Sequence, residues 1–154
     1  MIPKLAVLGE SSWEARALIG KWAFSIEDYD RCAAEFTAAD KLRRAITPQP
    51  DADPALFYLW GLVLNIKGKG KEATRMLEKA VKLAPDYGLF RFKLAELKLE
   101  SGAKDTKLAA EFKTALEHIG DDPDGNMANR AGNLLQKAGY AKQAEYFFDK
   151  AKQK

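Results

Sequence analysis

The sequence predicts an all-α chain, and three observations carry that prediction. Apolar residues recur at helical spacing along nearly the whole length, and no short run of β-branched and aromatic residues alternates as a strand would. Glycine and proline breakers fall where a scheme of paired helices needs them: Gly68 with Gly70, Pro85 with Gly88, Gly102, Gly120 with Pro123, and Gly139. A small residue also recurs within the first helix of each pair, at Gly20, Gly61, Ala95 and Gly132, with spacings of 41, 34 and 37 residues. The base period is 34, and a period of that size marks a tandem repeat of one supersecondary unit.

In chain order, the predicted helices run from Ser12 to Ile26, Tyr29 to Arg44, Pro54 to Lys67, Lys71 to Leu83, Tyr87 to Glu100, Asp105 to His118, Gly125 to Lys137 and Tyr140 to Gln153. The least regular stretch is Thr47 to Asp53, TPQPDAD, whose prolines and aspartates suit a loop. It accounts for the 7 extra residues of the first interval. The 3 extra residues of the last divide between the turn at Gly102 and the connection Asp121 to Asp124.

Composition bounds the function. The 154 residues are 47% hydrophobic, enough for a packed core, and the net charge of +3 is too small to indicate nucleic-acid or membrane binding by itself. No apolar run approaches the roughly 18 residues of a bilayer span. One cysteine, Cys32, cannot build a disulfide framework, and one histidine, His118, leaves no Cys/His set for structural zinc. Met1 to Gly9 is interrupted by Pro3 and Lys4 and does not read as a secretory leader, so a cytoplasmic location is expected.

With the period in hand, the residues resemble the tetratricopeptide repeat, a 34-residue helix-turn-helix unit. The copy from Pro54 to Tyr87 carries Phe57, Trp60, Gly61 and Leu64 in the first helix, Gly68 at the turn, Ala73, Leu77 and Ala80 in the second helix and Pro85 at its end. The fourth copy offers Ala131, Gly132, Leu135, Gly139, Ala144, Phe148 and Ala151 in the same places, and the first Ile19, Gly20, Ala23, Cys32, Phe36 and Ala39. Arg16 and Arg44 depart from the family pattern there. The third copy fits at Leu94, Ala95, Gly102, Phe112 and Ala115 but places Lys98 where the family has tyrosine. The resemblance implies a right-handed α-solenoid of about four repeats, at about 13–46, 54–87, 88–122 and 125–154. Residues 12–154 form the repeat domain, behind an N-terminal segment of residues 1–11. In the fourth copy the stacking positions hold Glu145, Lys152 and Lys154, the polar outer face of a terminal repeat.

Within each pair, the small residues let two helices approach while Phe36, Leu77, Phe112 and Phe148 fill the space between them. The family uses the concave face, lined by the first helices, to bind peptides or helices. Projecting that face at helical spacing gives Lys21 and Phe24, then Tyr58, Leu62 and Asn65, then Phe92, Glu96 and Leu99, then Asn129, Asn133 and Gln136. Tyr58 and Phe92 would be apolar anchors, and the amides would pair with a peptide backbone. The alternative is that these aromatics are covered by residues 1–11 or pack between neighbouring repeats. The family's two-carboxylate clamp for a chaperone C-terminus is not present as a set, since its places hold Ala17, Lys21, Leu59, Leu89 and Lys93.

Other features have structural readings. Lys67, Lys69 and Lys71 (KGKGK) match no phosphate loop and fall on a turn, where lysines are solvated. His118 suits a helix C-terminus, Cys32 a small core position, and Asp121, Asp122 and Asp124 a helix-connecting turn without a calcium-loop ligand series. The expected function is therefore non-enzymatic, without cofactor or metal: a scaffold binding a peptide or helix of a partner protein. A client-specific folding or secretion chaperone and homo-oligomerisation, for instance through Trp13, are the alternatives, and nucleic acid is disfavoured.

Overall fold

In the computed structural model, which describes residues 12–153, eight helices and no strand are found among the described residues. They are α1 (Trp13–Ser25), α2 (Tyr29–Arg44), α3 (Pro54–Ile66), α4 (Gly70–Leu83), α5 (Gly88–Glu100), α6 (Leu108–Ile119), α7 (Asn126–Lys137) and α8 (Ala141–Lys152). Side-chain caps explain the first three starts: Ser12 Oγ accepts from Ala15 N–H, Asp28 from Arg31 N–H and Asp53 from Ala55 N–H. Pro54 follows Asp53 at the first helical position, where its missing N–H costs nothing. The Asp122 carboxylate accepts from Met127 N–H at 3.1 Å and Ala128 N–H at 3.0 Å, so the aspartate cluster caps α7, as its reading as a connecting turn requires. The element that departs furthest from its expected start is α6, which begins at Leu108, three residues after Asp105. Asp105 Oδ1 accepts from Lys107 N–H at 2.9 Å, and this local side-chain bond holds Asp105 to Lys107 in a turn before the helix begins.

The chain divides into two compact units, one ending at Leu83 and the other beginning at Ala84. In the first, α1 pairs with α2 and α3 with α4, and α3 packs against α1 and α2. In the second, α5 pairs with α6 and α7 with α8, and α7 packs against α5 and α6.

Within the pairs, the recurring small residue works as the sequence requires. A Cβ placed on Gly20 would lie 2.6 Å from the Phe36 ring, one on Gly61 2.9 Å from Leu77 Cγ, and one on Gly132 2.6 Å from the Phe148 ring. Any side chain at these positions would force the helices apart. Gly125 is a second kind of requirement: its φ of +62° is left-handed, and a Cβ there would meet the Ala151 carbonyl at 2.6 Å.

The second unit's core is built on aromatic contacts. Phe92 meets Phe112 edge-on with ring centroids 4.9 Å apart, and Phe112 meets Phe147 at 6.3 Å. Phe147 is fully buried and is the residue of α8 that reaches the preceding pair, whereas its neighbour Phe148 sits on Gly132 within its own pair. Glu145 and Lys152 are exposed, and Lys154 lies outside the described residues.

Cys32 is fully buried in the first unit, and burial pushes its thiol up to about 12, with the Asp28 carboxylate adding to the rise. The native thiol thus holds its proton at pH values where the unfolded thiol, near its usual value of about 8.5, has lost it. The unfolded state then binds fewer protons, so this group costs stability as pH rises from about 8.5 towards 12, at up to roughly 1.4 kcal/mol per pH unit. At pH 8 the folded chain should not react with Ellman's reagent over minutes, whereas in guanidinium it should release one equivalent at once. Cys32→Ala should lose less stability than the parent between pH 8 and 10, measured by urea unfolding.

Candidate functional site

The faces presented by the first helix of each pair divide into residues that hold the fold and residues left to solvent. In the first unit, Lys21 Nζ lies 2.6 Å from Asp53 Oδ2, while the other oxygen of Asp53 caps α3. Lys21 therefore joins α1 to the start of α3 instead of standing free in a groove. Phe24 is half-buried and meets Tyr29 edge-on at 6.1 Å. Tyr58, Leu62 and Asn65 lie half-buried along α3, one to two turns apart.

In the second unit, the projected stripe of α5 turns inward. Phe92, Glu96 and Leu99 are all buried. Phe92 is a core residue packed on Phe112 of its own helix pair, which corrects its expected place as an exposed anchor. The reason is geometric: Phe92 stands three residues before Ala95, so it shares the side of α5 that faces α6. Leu99, seven residues further along, belongs to the same core cluster, and its remaining exposed edge lines a small recess with Glu100, Leu134 and Lys137.

Glu96 is buried yet fully engaged. Its Oε2 accepts from Lys93 Nζ at 2.7 Å, and its Oε1 accepts from Arg130 Nε at 2.7 Å and also from Arg130 Nη2. A buried carboxylate needs this kind of compensation, and here it comes from both α5 and α7, tying the two first helices together. Sequence reasoning missed Arg130, although it lies 34 residues after Glu96, one base period away.

Between α5 and α7 runs a groove of about 480 Å³ whose walls include Glu96, Glu100, Asn129, Arg130, Asn133, Leu134 and Lys137. The structure thus brings together Glu96, Asn129 and Asn133 from the expected set. Asn129, Asn133 and Gln136 are exposed, and Gln136 lies outside the groove wall. Arg130 is held by Glu96 with its guanidinium at the groove edge.

The first unit carries an apolar recess of about 640 Å³ on the side of its second helices, where Ala33, Ala34, Thr37 and Ala38 of α2 face Trp60, Leu64 and Met76. Exposed apolar side chains also run along α1 at Leu18 and Trp22 and on to its C-terminal cap at Ile26. Trp13, suggested by the sequence as an exposed aromatic, is half-buried with its indole nitrogen inside the protein. In the KGKGK turn, Lys67 pairs with Asp30, and that hydrogen bond and charge hold the Asp30 carboxyl below its usual range. Lys69 and Lys71 are exposed. Among the described residues, no group of three His, Cys, Asp or Glu side chains is placed to hold a metal, and no helix is long and apolar enough to cross a membrane.

No protein-family model matches the sequence, and no curated protein matches it. Solved structures do. YrrB, a TPR protein with an unusual peptide-binding site, is 23% identical with a TM-score of 0.74, over 92% of this chain and 68% of that one. MamA is 17% identical with a TM-score of 0.77, over 96% of this chain and 81% of that one. The Yersinia enterocolitica type III secretion chaperone SycD, in complex with a peptide of the translocator YopD, is 18% identical with a TM-score of 0.64, over 84% and 93% of the two chains. With paired helices, a recurring small residue and these structural likenesses, the chain has the all-α fold of the tetratricopeptide repeat proteins.

Proposed function

We propose that the chain is a non-enzymatic interaction module whose repeat domain, residues 12–154, holds an extended peptide or amphipathic helix of a partner protein against its first helices. The observation that carries this reading is the groove between α5 and α7. Its wall offers two exposed amides, Asn129 and Asn133, four residues apart on one face of α7, beside a guanidinium fixed by Glu96. Each amide can donate to a peptide carbonyl and accept from a peptide N–H, and a pre-positioned arginine loses little entropy on binding. In the first unit, Tyr58, Leu62 and Asn65 on α3 offer apolar contact and a further amide. The peptide-binding site of YrrB and the bound YopD peptide of SycD favour the same reading by structural analogy. It needs no cofactor and agrees with a cytoplasmic location.

A groove of this type binds in the micromolar range, about −8 kcal/mol. Peptides selected from a phage-displayed random library against the intact chain should lose more than about tenfold in affinity to Asn129→Ala/Asn133→Ala, with unchanged helical circular dichroism. Tyr58→Ala/Leu62→Asp should likewise weaken any selected peptide that reaches the first unit. Full-strength binding of every selected peptide to both variants overturns the proposal.

A second reading, self-association, rests on α1 and its C-terminal cap, where Leu18, Trp22 and Ile26 are 51%, 36% and 51% exposed at a spacing of four residues. It predicts a dimer in sedimentation velocity that Trp22→Glu dissociates. A parent chain that stays monomeric at high micromolar concentration contradicts it.

A further inference from the structure

The Thr47–Asp53 insertion plays no part in the groove described above, and it builds a pocket of its own. Its chain passes the end of α2 and borders a cavity of about 390 Å³, with the last turns of α4 on the other side. Arg43 anchors it. This buried guanidinium donates through Nη2 to Asp40 Oδ1 at 2.9 Å and through Nη1 to the Pro50 carbonyl at 2.9 Å, so the insertion's backbone is pinned to the helix end. The floor is apolar: Phe57, only 3% exposed, with Pro50, Ala52 and Leu83 beside it.

The rim is basic. Helices α2 and α4 both end at this cavity, so the cations of their last turns converge on it. Arg43 offsets Asp40, leaving Arg44, Lys79 and Lys82 against the single carboxylate of Asp51. Arg44 lies 3.9 Å from Asp40, which already accepts from Arg43. Lys79 sits over the Phe57 ring at 5.2 Å, and Lys82 is exposed. Cations at helix C-termini complement the dipoles, but that role requires neither a shared cavity nor an aromatic floor.

We propose that this pocket docks an acidic segment of a partner protein, one carrying an apolar side chain between carboxylates. The apolar group would rest on Leu83, Pro50 and Ala52, and the flanking carboxylates would meet Arg44, Lys79 and Lys82. A protein segment fits better than a small anion, because the cations border an apolar floor that a small anion would leave unused.

The test is fluorescence anisotropy of the intact chain with a labelled hexapeptide, a central Leu-Phe pair flanked by acidic pairs, beside the same peptide with lysines for the acids. The acidic peptide should bind and the lysine peptide should not. Arg44→Glu/Lys82→Glu, both exposed and so free to fold, should weaken the acidic peptide more than about tenfold with circular dichroism unchanged. Arg44→Gln/Lys82→Gln should give an intermediate loss. Asn129→Ala/Asn133→Ala should leave this affinity untouched, which separates failure here from failure of the groove on α5 and α7. No binding of the acidic peptide, equal binding of the lysine peptide, or equal binding to the charge-reversed chain overturns the proposal. Displacement by millimolar inorganic phosphate at constant ionic strength would reduce the pocket to a small-anion site and overturn it too.

Discussion

Everything in this molecule depends on one contact repeated within its helix pairs: a residue with almost no side chain on the first helix, met by a large apolar side chain on the second. Gly20 meets Phe36, Gly61 meets Leu77 and Gly132 meets Phe148, each partner standing 16 residues after its glycine. In the third pair Ala95 precedes Phe112 by 17, consistent with the longer connection that the Asp105 turn imposes. A glycine inside a helix costs roughly 1 kcal/mol relative to alanine, so its recurrence at three such positions has to be repaid by packing. The aromatic or leucine side chain lying across the bare backbone provides that return, since close contact over a buried ring is worth more than the lost propensity. Once the helices are paired so tightly, the outer faces of the first helices are left to other uses.

Those faces are a mixture of joints and free groups. Charged residues that the sequence projects onto the partner-binding face turn out to connect repeats: Lys21 joins α1 to the cap of α3, and Glu96 joins Lys93 of α5 to Arg130 of α7. The Glu96 carboxylate is buried, so its stability rests on both cations being present. What remains uncommitted is a small set, chiefly the amides of α7 and the cations around the insertion. Binding chemistry is best sought in such groups, because engaging them does not require dismantling the fold.

How far the sequence could be read follows from the same division. Helix existence and pairing were legible because periodicity and breakers are local signals, and the caps at Ser12, Asp28 and Asp53 place helix starts close to where periodicity put them. The start of α6 was misjudged because Asp105 binds Lys107 N–H, and competition from a single side chain leaves no trace in periodicity. The candidate site was legible only in part. Projection at helical spacing found Asn129 and Asn133, on a helix whose apolar stripe is narrow. It misplaced Phe92, because α5 is apolar over much of its circumference and the stripe alone cannot say which apolar face meets α6. The proximity of Phe92 to Ala95 would have decided it. Arg130 was hidden for a different reason: its partner Glu96 lies on the first helix of the preceding pair, 34 residues away, and no local pattern relates them.

The most direct test is a double-mutant cycle in urea unfolding on Gly20→Ala and Phe36→Leu, with Gly70→Ala as a reference where a Cβ would meet nothing within 4 Å. Gly70→Ala should be neutral or slightly stabilising. Gly20→Ala should instead destabilise by roughly 1–3 kcal/mol despite its better helix propensity, and Phe36→Leu should recover about 1 kcal/mol of that loss by making room for the new methyl. Stabilisation by Gly20→Ala, or strict additivity of the two changes, would contradict the claim that this contact holds the helices together.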